Sequence, residues 1–572
     1  MRVELSENAK LVLKNRYLLK DEKGEATETP EEMFYRVARS VAAAEKNYSE
    51  DEGYWTERFF NLMKELKFLP NSPAMMNAGK YLGQLAACFV LPVEDSMDSI
   101  FSSLKNAAMI LQSGGGTGFS FSHLRPKADV VRSTGGIASG PVSFMRVFDT
   151  ATEVIKQGGA RRGANMGILN IHHPDILDFI RIKRRADELQ NFNISVAVTD
   201  AFMDALRRDG DYELLNPRTK AVYRRIRAKD VFDEIVESAW ETGDPGVVFI
   251  DEINRANPTP HLGRLESTNP CGEQPLLANE ACVLGSINLD KYLTNKSGRA
   301  AINYEALSED IAAAVRFLDD TIDINKYPLQ VIKEMHTGNR KIGLGIMGWA
   351  DMLTALGIPY DSPKAFNLAD NFMEFFRDRA RKSSADLASK RGVFPNFKGS
   401  IYDAAGRPAV RNATTTTIAP TGTLSIIADC SSGIEPLFAL SYKRLIMDTE
   451  LIEVNRRFFE AAKEGGFYSD RLKEKIIHQG TLRGVREVPA KIRRLYKTAH
   501  EINYADHIEM QARFQRYTDN AVSKTINMPR SAKKEDVARA YLLAYEKGCK
   551  GITIFRYGSQ KRGTLVRFPD AD

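Results

Sequence analysis

Short apolar stretches alternate with segments of helical periodicity from about residue 70 onward, and this alternation constrains the fold more than any other feature of the chain. The stretches that predict strands are 164–171, 194–199, 246–251, 284–289, 415–421 and 551–557. Such alternation is typical of an α/β fold with mostly parallel strands. A chain of 572 residues suits either about four domains of roughly 150 residues or one large barrel. Because no repeat, low-complexity tract or linker interrupts residues 71–572, we expect them to form one unit.

The first part of the chain predicts a small helical region instead. Thr29 is suited to the N-cap of a helix, Pro30 to its first turn, and Glu32 to closing a capping box. A long helix is predicted over 362–392, between a serine N-cap and a glycine stop. We therefore expect a helical region over residues 1–70 in front of the α/β unit.

The composition excludes several classes of protein. Hydrophobic residues make up 43% and charged residues 27% of the chain, which is typical of a globular protein. The longest apolar run, 85–93, is far shorter than the ~20 residues of a spanning helix, and no apolar signal segment follows the N-terminus. The net charge of +6 is spread along the chain, which suits anionic small molecules and gives no support for nucleic-acid binding. We expect a cytoplasmic protein without a membrane segment.

The cysteines argue against disulfides and against a zinc site. They stand at positions 88, 271, 282, 430 and 549, too few and too scattered for a disulfide framework, and so predict free thiols in a reducing cytosol. No CxxC or HExxH motif occurs, so a metal is expected only inside a cofactor. Cys88 and Cys282 lie in apolar, strand-like runs and, taken singly, predict buried and inert thiols.

Four glycine-rich stretches could let backbone amides approach phosphate groups, at 113–118, 157–163, 343–348 and 420–423. None is a Walker A loop, because no Gly-Lys-Ser/Thr sequence occurs. The GLGIMG sequence at 343–348 matches a dinucleotide fingerprint but follows a charged Arg-Lys pair, so we interpret it as a tight turn or close packing. The stretch 157–163, with two arginines, is equally consistent with a nucleotide-binding loop and a solvated loop.

The octapeptide STNPCGEQ at 267–274 is the best candidate for a reactive site. Its proline and glycine oppose a helix, so Asn269, Cys271 and Glu273 are expected to alternate along an extended loop with their side chains on one side. A carboxylate raises the pKa of a nearby thiol, which argues against an ordinary nucleophilic cysteine and leaves hydrogen-atom chemistry open. Glu273 is free to act as a general base. Taken alone, the octapeptide could equally be a structural turn.

Nine longer motifs carry a family resemblance. They are NSPAMMNAG (71–79), ACFVLPVEDS (87–96), SGGGTGFSFSHLRP (113–126), STGGIASGPVSFM (133–145), KQGGARRGANMG (156–167), STNPCGEQPL (267–276), APTGTLS (419–425), DCSSGIEP (429–436) and TDNAVSKTINMP (518–529). With these motifs in this order, the chain resembles the catalytic subunit of ribonucleotide reductase, most closely the adenosylcobalamin-dependent class II enzymes. The resemblance extends from about residue 30 to about residue 565.

The resemblance implies a ten-stranded α/β barrel with a central finger loop that carries Cys271. In this family, cobalt-carbon homolysis in adenosylcobalamin would give a deoxyadenosyl radical that takes the Cys271 hydrogen, and the resulting thiyl radical would take the ribose 3′-hydrogen. Glu273 would take the 3′-hydroxyl proton, and Asn269 would orient the ribose. Cys88 and Cys282 would assist loss of the 2′-hydroxyl as water and end as a disulfide, in apolar surroundings that keep the radical from water and oxygen.

The resemblance also implies the nucleotide sites. Substrate contacts are expected at Ser72, Ala87, Gly116, Pro420, Thr421, Gly422, Thr423, Leu424 and Ser425. Contacts to dNTP or ATP effectors are expected at Asp95, Arg125, Gln157, Arg161 and Arg162. Helices after Ser96 and Pro141 would form a homodimer interface, and effectors would shift base preference by biasing a loop. The expected reaction reduces ribonucleoside diphosphates to 2′-deoxyribonucleoside diphosphates, with triphosphates as the alternative and a thioredoxin-like or small dithiol as reductant.

Departures from the family pattern refine these expectations. Full-length members usually end in a cysteine pair that re-reduces the active site, whereas no cysteine follows Cys549, so we expect a removed tail or another thiol donor. Ile554–Phe555 replaces the class I tyrosine pair, and phenylalanine has no phenolic hydrogen to give, which favours cobalamin. No D-x-H-x-x-G motif of a separate cobalamin domain occurs, so the cofactor is expected at the open end of the barrel. No additional N-terminal effector cone is found, so on/off control by ATP and dATP is not expected.

Three alternative functions stay open. A class I catalytic subunit would need a radical-generating partner and is disfavoured by the missing tyrosine pair. A non-catalytic nucleotide sensor is disfavoured because Cys88, Cys271, Cys282 and Glu273 are all present. A glycyl-radical enzyme is disfavoured because the sequence at 556–559 does not fit the motif of that class.

Overall fold

The computed structural model describes residues 3–131, 135–155, 163–185, 187–296, 298–404, 406–446, 449–559 and 565–566. Its strands are β1 (Phe68–Pro70), β2 (Cys88–Leu91), β3 (Gly116–Ser120), β4 (Val130–Val131), β5 (Gly136–Ile137), β6 (Asn165–Asn170), β7 (Phe192–Val198), β8 (Asp211–Leu215), β9 (Val222–Arg227), β10 (Gly246–Phe249), β11 (Ser267–Thr268), β12 (Pro275–Leu276), β13 (Glu280–Asn288), β14 (Leu293–Lys296), β15 (Arg299–Ile302), β16 (Ile342–Met347), β17 (Ser441–Ile446), β18 (Thr449–Val454), β19 (Thr525–Met528), β20 (Gly551–Arg556) and β21 (Leu565–Val566).

Helices connect and cover these strands. They are α1 (Glu7–Arg16), α2 (Pro30–Ala42), α3 (Glu52–Lys64), α4 (Ser72–Asn77), α5 (Met97–Gln112), α6 (Pro141–Val154), α7 (Ile176–Arg181), α8 (Asp200–Arg207), α9 (Ala228–Thr242), α10 (Ile250–Arg255), α11 (Tyr304–Ile324), α12 (Gln330–Asn339), α13 (Trp349–Ala355), α14 (Pro363–Arg391), α15 (Leu424–Ile427), α16 (Arg456–Glu464), α17 (Asp470–Gln479), α18 (Ala490–Leu495), α19 (Tyr504–Gln515) and α20 (Lys534–Glu546). Within the described ranges, none of them is both long and apolar enough to cross a membrane.

The two helices predicted from their capping residues form as expected. The Thr29 hydroxyl accepts the Glu32 N–H at 3.2 Å, and the Glu32 carboxylate accepts the Thr29 N–H at 2.7 Å, which closes the capping box of α2. The buried face of α2 comprises Met33, Phe34, Val37, Ala38, Val41 and Ala42. Ser362 caps α14, and Gly392 follows its last residue. Both sequence predictions are confirmed.

Ten strands form the central sheet, in the order β1-β13-β2-β3-β6-β7-β10-β20-β19, with β16 also paired to β13. The strands from β2 through β3, β6 and β7 to β10 are parallel neighbours. The pairs β13–β16 and β19–β20 are also parallel. The antiparallel pairs β2–β13 and β10–β20 join them to the two ends of the parallel set from β2 to β10. The predicted α/β fold with mostly parallel strands and ten of them in one sheet is therefore confirmed.

Residues 414–418 lie beside β16 without forming a regular strand. The Leu344 N–H donates to the Thr415 carbonyl at 2.8 Å, and the Thr417 N–H donates to the Leu344 carbonyl at 3.0 Å. The strand predicted over 415–421 is therefore wrong as a regular strand, since only isolated bridges occur there. The physical reason is the end of this segment. Pro420 has no N–H to donate to a neighbouring strand, and Thr421 has a positive φ, so the chain leaves the sheet there.

The same segment is hydrogen bonded on its other side to the chain that leads into β19. The Ile418 N–H donates to the Ala521 carbonyl at 3.2 Å, and the Ser523 N–H donates to the Ile418 carbonyl at 2.8 Å. Backbone pairing can thus be followed from β13 through β2 to β19, across this segment to β16, and back to β13. Because this circuit of paired segments is closed, side chains that point to its inside can contact one another even when they come from strands that are not neighbours.

The glycines of the GLGIMG sequence lie inside β16 and serve close packing. A Cβ at Gly343 would lie 2.6 Å from Gln274 Nε2, and a Cβ at Gly345 would lie 2.5 Å from the Thr417 carbonyl oxygen. Neither distance is tolerated by a real side chain, so β16 must carry glycine where the 267–274 loop and the 414–418 segment approach it. The interpretation of this sequence as a packing feature is confirmed.

Candidate active site

The loop that carries Cys271 is a hairpin formed by β11, β12 and the residues between them. The Asn269 N–H donates to the Gln274 carbonyl at 3.2 Å, and the Asn269 Oδ1 accepts the Gln274 N–H at 2.9 Å. The Gly272 N–H donates to the Asn269 carbonyl at 3.1 Å, and Gly272 has a φ of +80°. The expected extended loop is therefore wrong, because the positive φ at Gly272 turns the chain. Cys271 consequently stands at the tip, between Asn269 and Glu273.

The hairpin packs on strand β3, because two glycines of this strand leave room for its backbone. A Cβ at Gly118 would lie 1.8 Å from the Thr268 carbonyl oxygen, and a Cβ at Gly116 would lie 3.0 Å from the Pro270 ring. From β7, the Asn193 Nδ2 donates to the Pro270 carbonyl at 2.7 Å. The glycines of the 113–118 stretch thus bring the hairpin onto the sheet.

Cys88 and Cys282 face each other across the antiparallel pair of β2 and β13. Facing residues of such pairs have Cα atoms about 4.5 to 5.5 Å apart, which lies within the range of disulfide-bonded cysteines. Both thiols are free, and the Asn269 Nδ2 donates to the Cys88 Sγ at 3.2 Å. The apolar cluster around them includes Val90, Leu276, Leu284 and Ala419. The structure therefore brings together two cysteines that would each, taken singly, be interpreted as inert.

Burial separates the roles that the three thiols can take. Burial raises the pKa of Cys88 well above its usual range, and the nearby Glu273 carboxylate raises it further. Burial likewise raises the pKa of Cys282 well above its usual range. Both therefore remain thiols at neutral pH and can give up two hydrogens together with two electrons. Cys271 is exposed, so of these three thiols it is the one that a reactant from solvent can contact directly.

Glu273 combines deep burial with an unsatisfied oxygen. Only 3% of the residue is exposed, and its Oε2 is buried without a hydrogen-bond partner. Burial raises the pKa of Glu273 to about 7, although the Asn269 amide lowers it in part. The Thr417 hydroxyl and the Ala521 N–H both donate to the Glu273 carbonyl, at 3.0 and 2.9 Å, and hold the backbone in place. A carboxyl group with this pKa and an open acceptor is suited to general-base catalysis.

Three of the expected substrate contacts surround the cysteine pair. Ala87 precedes Cys88, and its carbonyl accepts the Gly116 N–H at 2.8 Å. Ser72 is the first residue of α4, and its hydroxyl lies 2.7 Å from the Tyr17 hydroxyl. The backbone N–H of Asn71, the N-cap of α4, donates to the Leu284 carbonyl of β13 at 2.8 Å, which ties Ser72 to the strand of Cys282.

The expected phosphate loop, residues 420–425, starts beside the cysteine pair, because Ala419 belongs to the same apolar cluster. Thr421 has a φ of +50°, which is strained for a β-branched residue, and its hydroxyl accepts the Gly433 N–H at 2.8 Å. The Ser425 N–H donates to the Thr421 carbonyl at 2.8 Å, and the Ser425 and Ser432 hydroxyls lie 2.9 Å apart. Backbone strain of this kind concentrates at functional sites.

Two of the expected effector contacts pair with each other. The Arg125 Nε donates to the Asp95 carboxylate at 2.9 Å, and the Arg125 backbone N–H donates to it at 3.1 Å. Gln157, Arg161 and Arg162 lie outside the described residues. The helices expected after Ser96 and Pro141 are α5 and α6, which pack against each other.

Sequence reasoning missed a buried ion pair behind Cys282. Glu280 shares a face of β13 with Cys282, and its carboxylate accepts from Lys341 Nζ at 2.7 Å and from Asn339 Nδ2 at 2.6 Å. The same carboxylate accepts the Leu277 N–H at 2.8 Å and so fixes the end of the hairpin. Only the alternation of Glu280 and Cys282 along one strand could have hinted at this arrangement.

A cavity of about 570 Å³ adjoins the expected phosphate loop. Ser425 and Ser432 belong to its wall, together with the apolar side chains of Leu437, Phe438 and Phe555. Phe555 belongs to the Ile554–Phe555 dipeptide, which occupies the position expected for the class I tyrosine pair. No cluster of side chains suited to a metal ion occurs among the described residues.

Fold and site together define a thiol-dependent oxidoreductase built on an α/β sheet, with a buried dithiol and an exposed third cysteine on a central hairpin. Family models for ribonucleotide reductase match nearly the whole chain, the all-alpha domain at residues 3–83 and the barrel domain at residues 86–408 and 405–555. The chain therefore belongs to the ribonucleotide reductase family, as its motifs predicted.

Named relatives agree with this assignment. A vitamin B12-dependent ribonucleoside-diphosphate reductase of Thermoplasma acidophilum is 49% identical over 97% of this chain and 79% of its own length. A protein of the same name from Mycobacterium tuberculosis is 49% identical over 98% of this chain and 81% of its own length. The alpha subunit of the Actinobacillus ureae class Id ribonucleotide reductase superimposes with a TM-score of 0.81 at 23% identity, covering 97% of this chain and 98% of that one. This last likeness shows the fold alone.

Proposed function

We propose that the protein is an adenosylcobalamin-dependent ribonucleoside-diphosphate reductase, which supplies deoxynucleotides for DNA synthesis and repair. The observation that carries the proposal is the convergence of Cys88, Cys282, Asn269 and Glu273 beside an exposed Cys271. The names of the two relatives at 49% identity support both the diphosphate substrate and the cofactor.

The residues present fit a cofactor that docks from outside the sheet. The thiol at the tip of the hairpin is exposed, whereas the other cysteines of the site are buried. Phe438 and Phe555 in the wall of the neighbouring cavity suit a large, flat and partly apolar group, and they would hold it. When bound, adenosylcobalamin supplies a carbon-centred radical that can remove a hydrogen atom from a thiol.

The residues of the site would then divide the reaction among them. Cys271, as a thiyl radical, takes the 3′-hydrogen of the ribose, and Glu273 takes the 3′-hydroxyl proton. The amide of Asn269 orients the ribose. Cys88 and Cys282 supply the two electrons and two protons with which the 2′-hydroxyl leaves as water, and they end joined by a disulfide. The 3′-hydrogen returns to carbon 3′, and Cys271 regains its radical state.

Nucleotide recognition belongs to the same proposal. Ser72, Ala87, Gly116 and the loop 420–425 bind the substrate. Asp95 and Arg125 bind effector deoxynucleotides or ATP together with residues 157, 161 and 162, and so control which base is reduced. We place the homodimer interface on α5 and α6, supported by their exposed apolar side chains. These are Met97, Phe101, Met109, Val147 and Val154.

The remaining assignments rest on simpler observations. We propose a helical N-terminal region over residues 1–70 and a catalytic unit over 71–572, supported by the helices α1, α2 and α3, which precede the first strand of the sheet. A thioredoxin-like protein or small dithiol would reduce the disulfide. No disulfide is found among the described cysteines, which supports a reducing compartment, the cytoplasm.

Anaerobic reduction of CDP tests the proposal directly. Purified protein is incubated with CDP and a dithiol, with and without adenosylcobalamin, and dCDP is quantified. We expect product only with the cofactor, and none from Cys271→Ser. Cys549→Ala is the matched control, because Cys549 is fully buried and lies on neither β2, β13 nor the hairpin. Wild-type protein that binds the cofactor yet reduces no ribonucleotide with any effector would contradict the proposal.

A further inference from the structure

Helix α1 ends against the expected phosphate loop, although nothing in its sequence marks it as part of the site. Its last residue, Arg16, donates from Nη1 to the Thr423 Oγ1 at 3.2 Å. The next residue, Tyr17, is fully buried, and its hydroxyl lies 2.7 Å from the Ser72 hydroxyl. Two consecutive residues of the N-terminal region thus contact two of the expected substrate-binding residues.

Arg16 has no anionic partner where it stands. Within the described part of the chain it forms no ion pair, and its only hydrogen bond is to the neutral Thr423 hydroxyl. Its Nε is buried and has no partner. The guanidinium carbon lies 5.6 Å from the centre of the Tyr17 ring, which helps to keep the side chain in this position. A half-buried guanidinium with a vacant donor lacks the carboxylate or phosphate that such groups normally bind.

We propose that Arg16 supplies the cation of the phosphate loop and recognises the terminal phosphate of a nucleoside diphosphate. This inference rests on the proposed function and adds to it a residue that distinguishes diphosphates from monophosphates. A planar guanidinium binds two phosphate oxygens at once, and the loop 420–425 contains no cationic side chain of its own. Tyr17 positions the end of α1 by its contact with Ser72.

A purely structural role for Arg16 is the competing explanation. A cation in the last turn of a helix interacts favourably with the negative end of the helix dipole. Lys14 lies in the same turn, is exposed, and can serve that role without contacting the phosphate loop. Replacing each residue in turn therefore separates the two roles.

The test measures binding of CDP, CMP and inorganic pyrophosphate to the full chain by calorimetry, without cobalamin, in wild type, Arg16→Gln, Arg16→Lys and Lys14→Gln. We expect Arg16→Gln to weaken CDP and pyrophosphate by about tenfold to a hundredfold, the usual effect of losing a charged hydrogen bond. CMP should change less than about twofold, because it lacks the terminal phosphate. Arg16→Lys should recover part of the CDP affinity, and Lys14→Gln should match wild type.

The outcomes separate this inference from the proposed function. Equal weakening of CDP and CMP by Arg16→Gln, or no change in either, would overturn the role of Arg16 while leaving CDP reduction by the wild type intact. Failure of wild-type protein to bind or reduce CDP would instead overturn the proposed function, and the role of Arg16 with it. In the CDP assay, an effect on KM with kcat nearly unchanged supports the inference, and a fall in kcat alone contradicts it.

Discussion

The carboxyl group of Glu273 predicts a dependence of stability on pH. Its folded pKa, about 7, lies above the ordinary value of 4.5 because the group is buried. Stability from the protonated form is therefore complete below about pH 4.5 and is lost as the pH rises through 7, at a cost of up to roughly 3 kcal/mol. We expect Glu273→Gln to melt at a higher temperature than wild type at pH 8 and at nearly the same temperature at pH 5.

Glu280→Gln is the matched control for this experiment. Glu280 is also fully buried, but its carboxylate is paired with Lys341 and bonded to Asn339 and the Leu277 N–H. Its replacement leaves the Lys341 ammonium without a counter-charge, so the melting temperature should fall at pH 8. If both variants shift the melting temperature in the same direction at pH 8, the explanation from burial of Glu273 is wrong.

The facing cysteines predict a specific product of turnover. Because Cys88 and Cys282 are direct partners on β2 and β13, a disulfide can form between them without rearrangement of the strands. One round of CDP reduction without external dithiol should yield about one dCDP per chain and a peptide pair linked through these two cysteines, detected by mass spectrometry. A linkage that involves Cys271 instead would contradict the assignment of Cys271 as the radical residue.

At this scale the sequence predicted residue types better than their arrangement. The octapeptide indicated a reactive thiol beside a carboxylate, but the turn at Gly272 makes the loop a hairpin and not an extended segment. Cys88 and Cys282 were paired only through the family resemblance, since register between residues 194 positions apart is a tertiary property that no local pattern encodes. Arg16 was missed because one arginine at a helix end has no sequence signal of its own.

Among the elements, the contact between β3 and the hairpin predicts a loss of activity without loss of the fold. A Cβ added at Gly118 would lie 1.8 Å from the Thr268 carbonyl oxygen, so Gly118→Ala must push the hairpin away from the sheet. Displacement of a reacting group by about 1 Å can cost about a hundredfold in rate. We expect CDP reduction to fall by about that factor, with circular dichroism unchanged.

The control for Gly118→Ala is a glycine with room for a methyl group. A Cβ at Gly210 would lie 3.7 Å from its nearest neighbour, the Ala205 carbonyl oxygen, so Gly210→Ala should retain wild-type activity. Full activity of Gly118→Ala would mean that the hairpin tolerates displacement and that its seat on β3 does not position Cys271.

Elements were predictable where local chemistry decides them. Thr29 and Ser362 mark the starts of α2 and α14, because an N-cap needs only its own side chain and the next turn of backbone. The segment 415–421 was predicted as a strand from its short apolar run, yet only isolated bridges form there. Its bridge partners, Leu344 and Val522, are 72 and 104 positions away, and its end is decided by the geometry of the phosphate loop.

In the whole molecule, a buried ion network joins the N-terminal region to the helices of the α/β unit. The Arg391 guanidinium bonds to Glu45 at 2.7 Å, to Asp319 at 3.1 Å and to Asp320 at 2.6 Å, and all four side chains are fully buried. Arg391→Ala would leave three carboxyl groups without this cation, and breaking such a buried pairing costs about 3–5 kcal/mol. We expect a clearly lower melting temperature, while Lys390→Ala, whose exposed ion pair contributes little, should stay close to wild type.

The assembly predicted on α5 and α6 is the final test at this scale. Phe101 on α5 and Val154 on α6 are 47% and 79% exposed, and with Met97, Met109 and Val147 they give these two packed helices several exposed apolar side chains, as interaction surfaces have. A second copy of the chain is the expected partner, because a two-fold interface presents the same surface on both sides.

Phe101→Glu would bury an unpaired charge at this interface, so sedimentation velocity should show a monomer where a dimer is expected of the wild type. Tyr223→Glu, which alters a ring on β9 that is 57% exposed, should remain dimeric. Because Asp95 immediately precedes the N-cap of α5, loss of the dimer should also weaken effector control of base preference while CDP reduction without effector persists. A dimeric Phe101→Glu protein with intact effector control would place the interface elsewhere on the molecule.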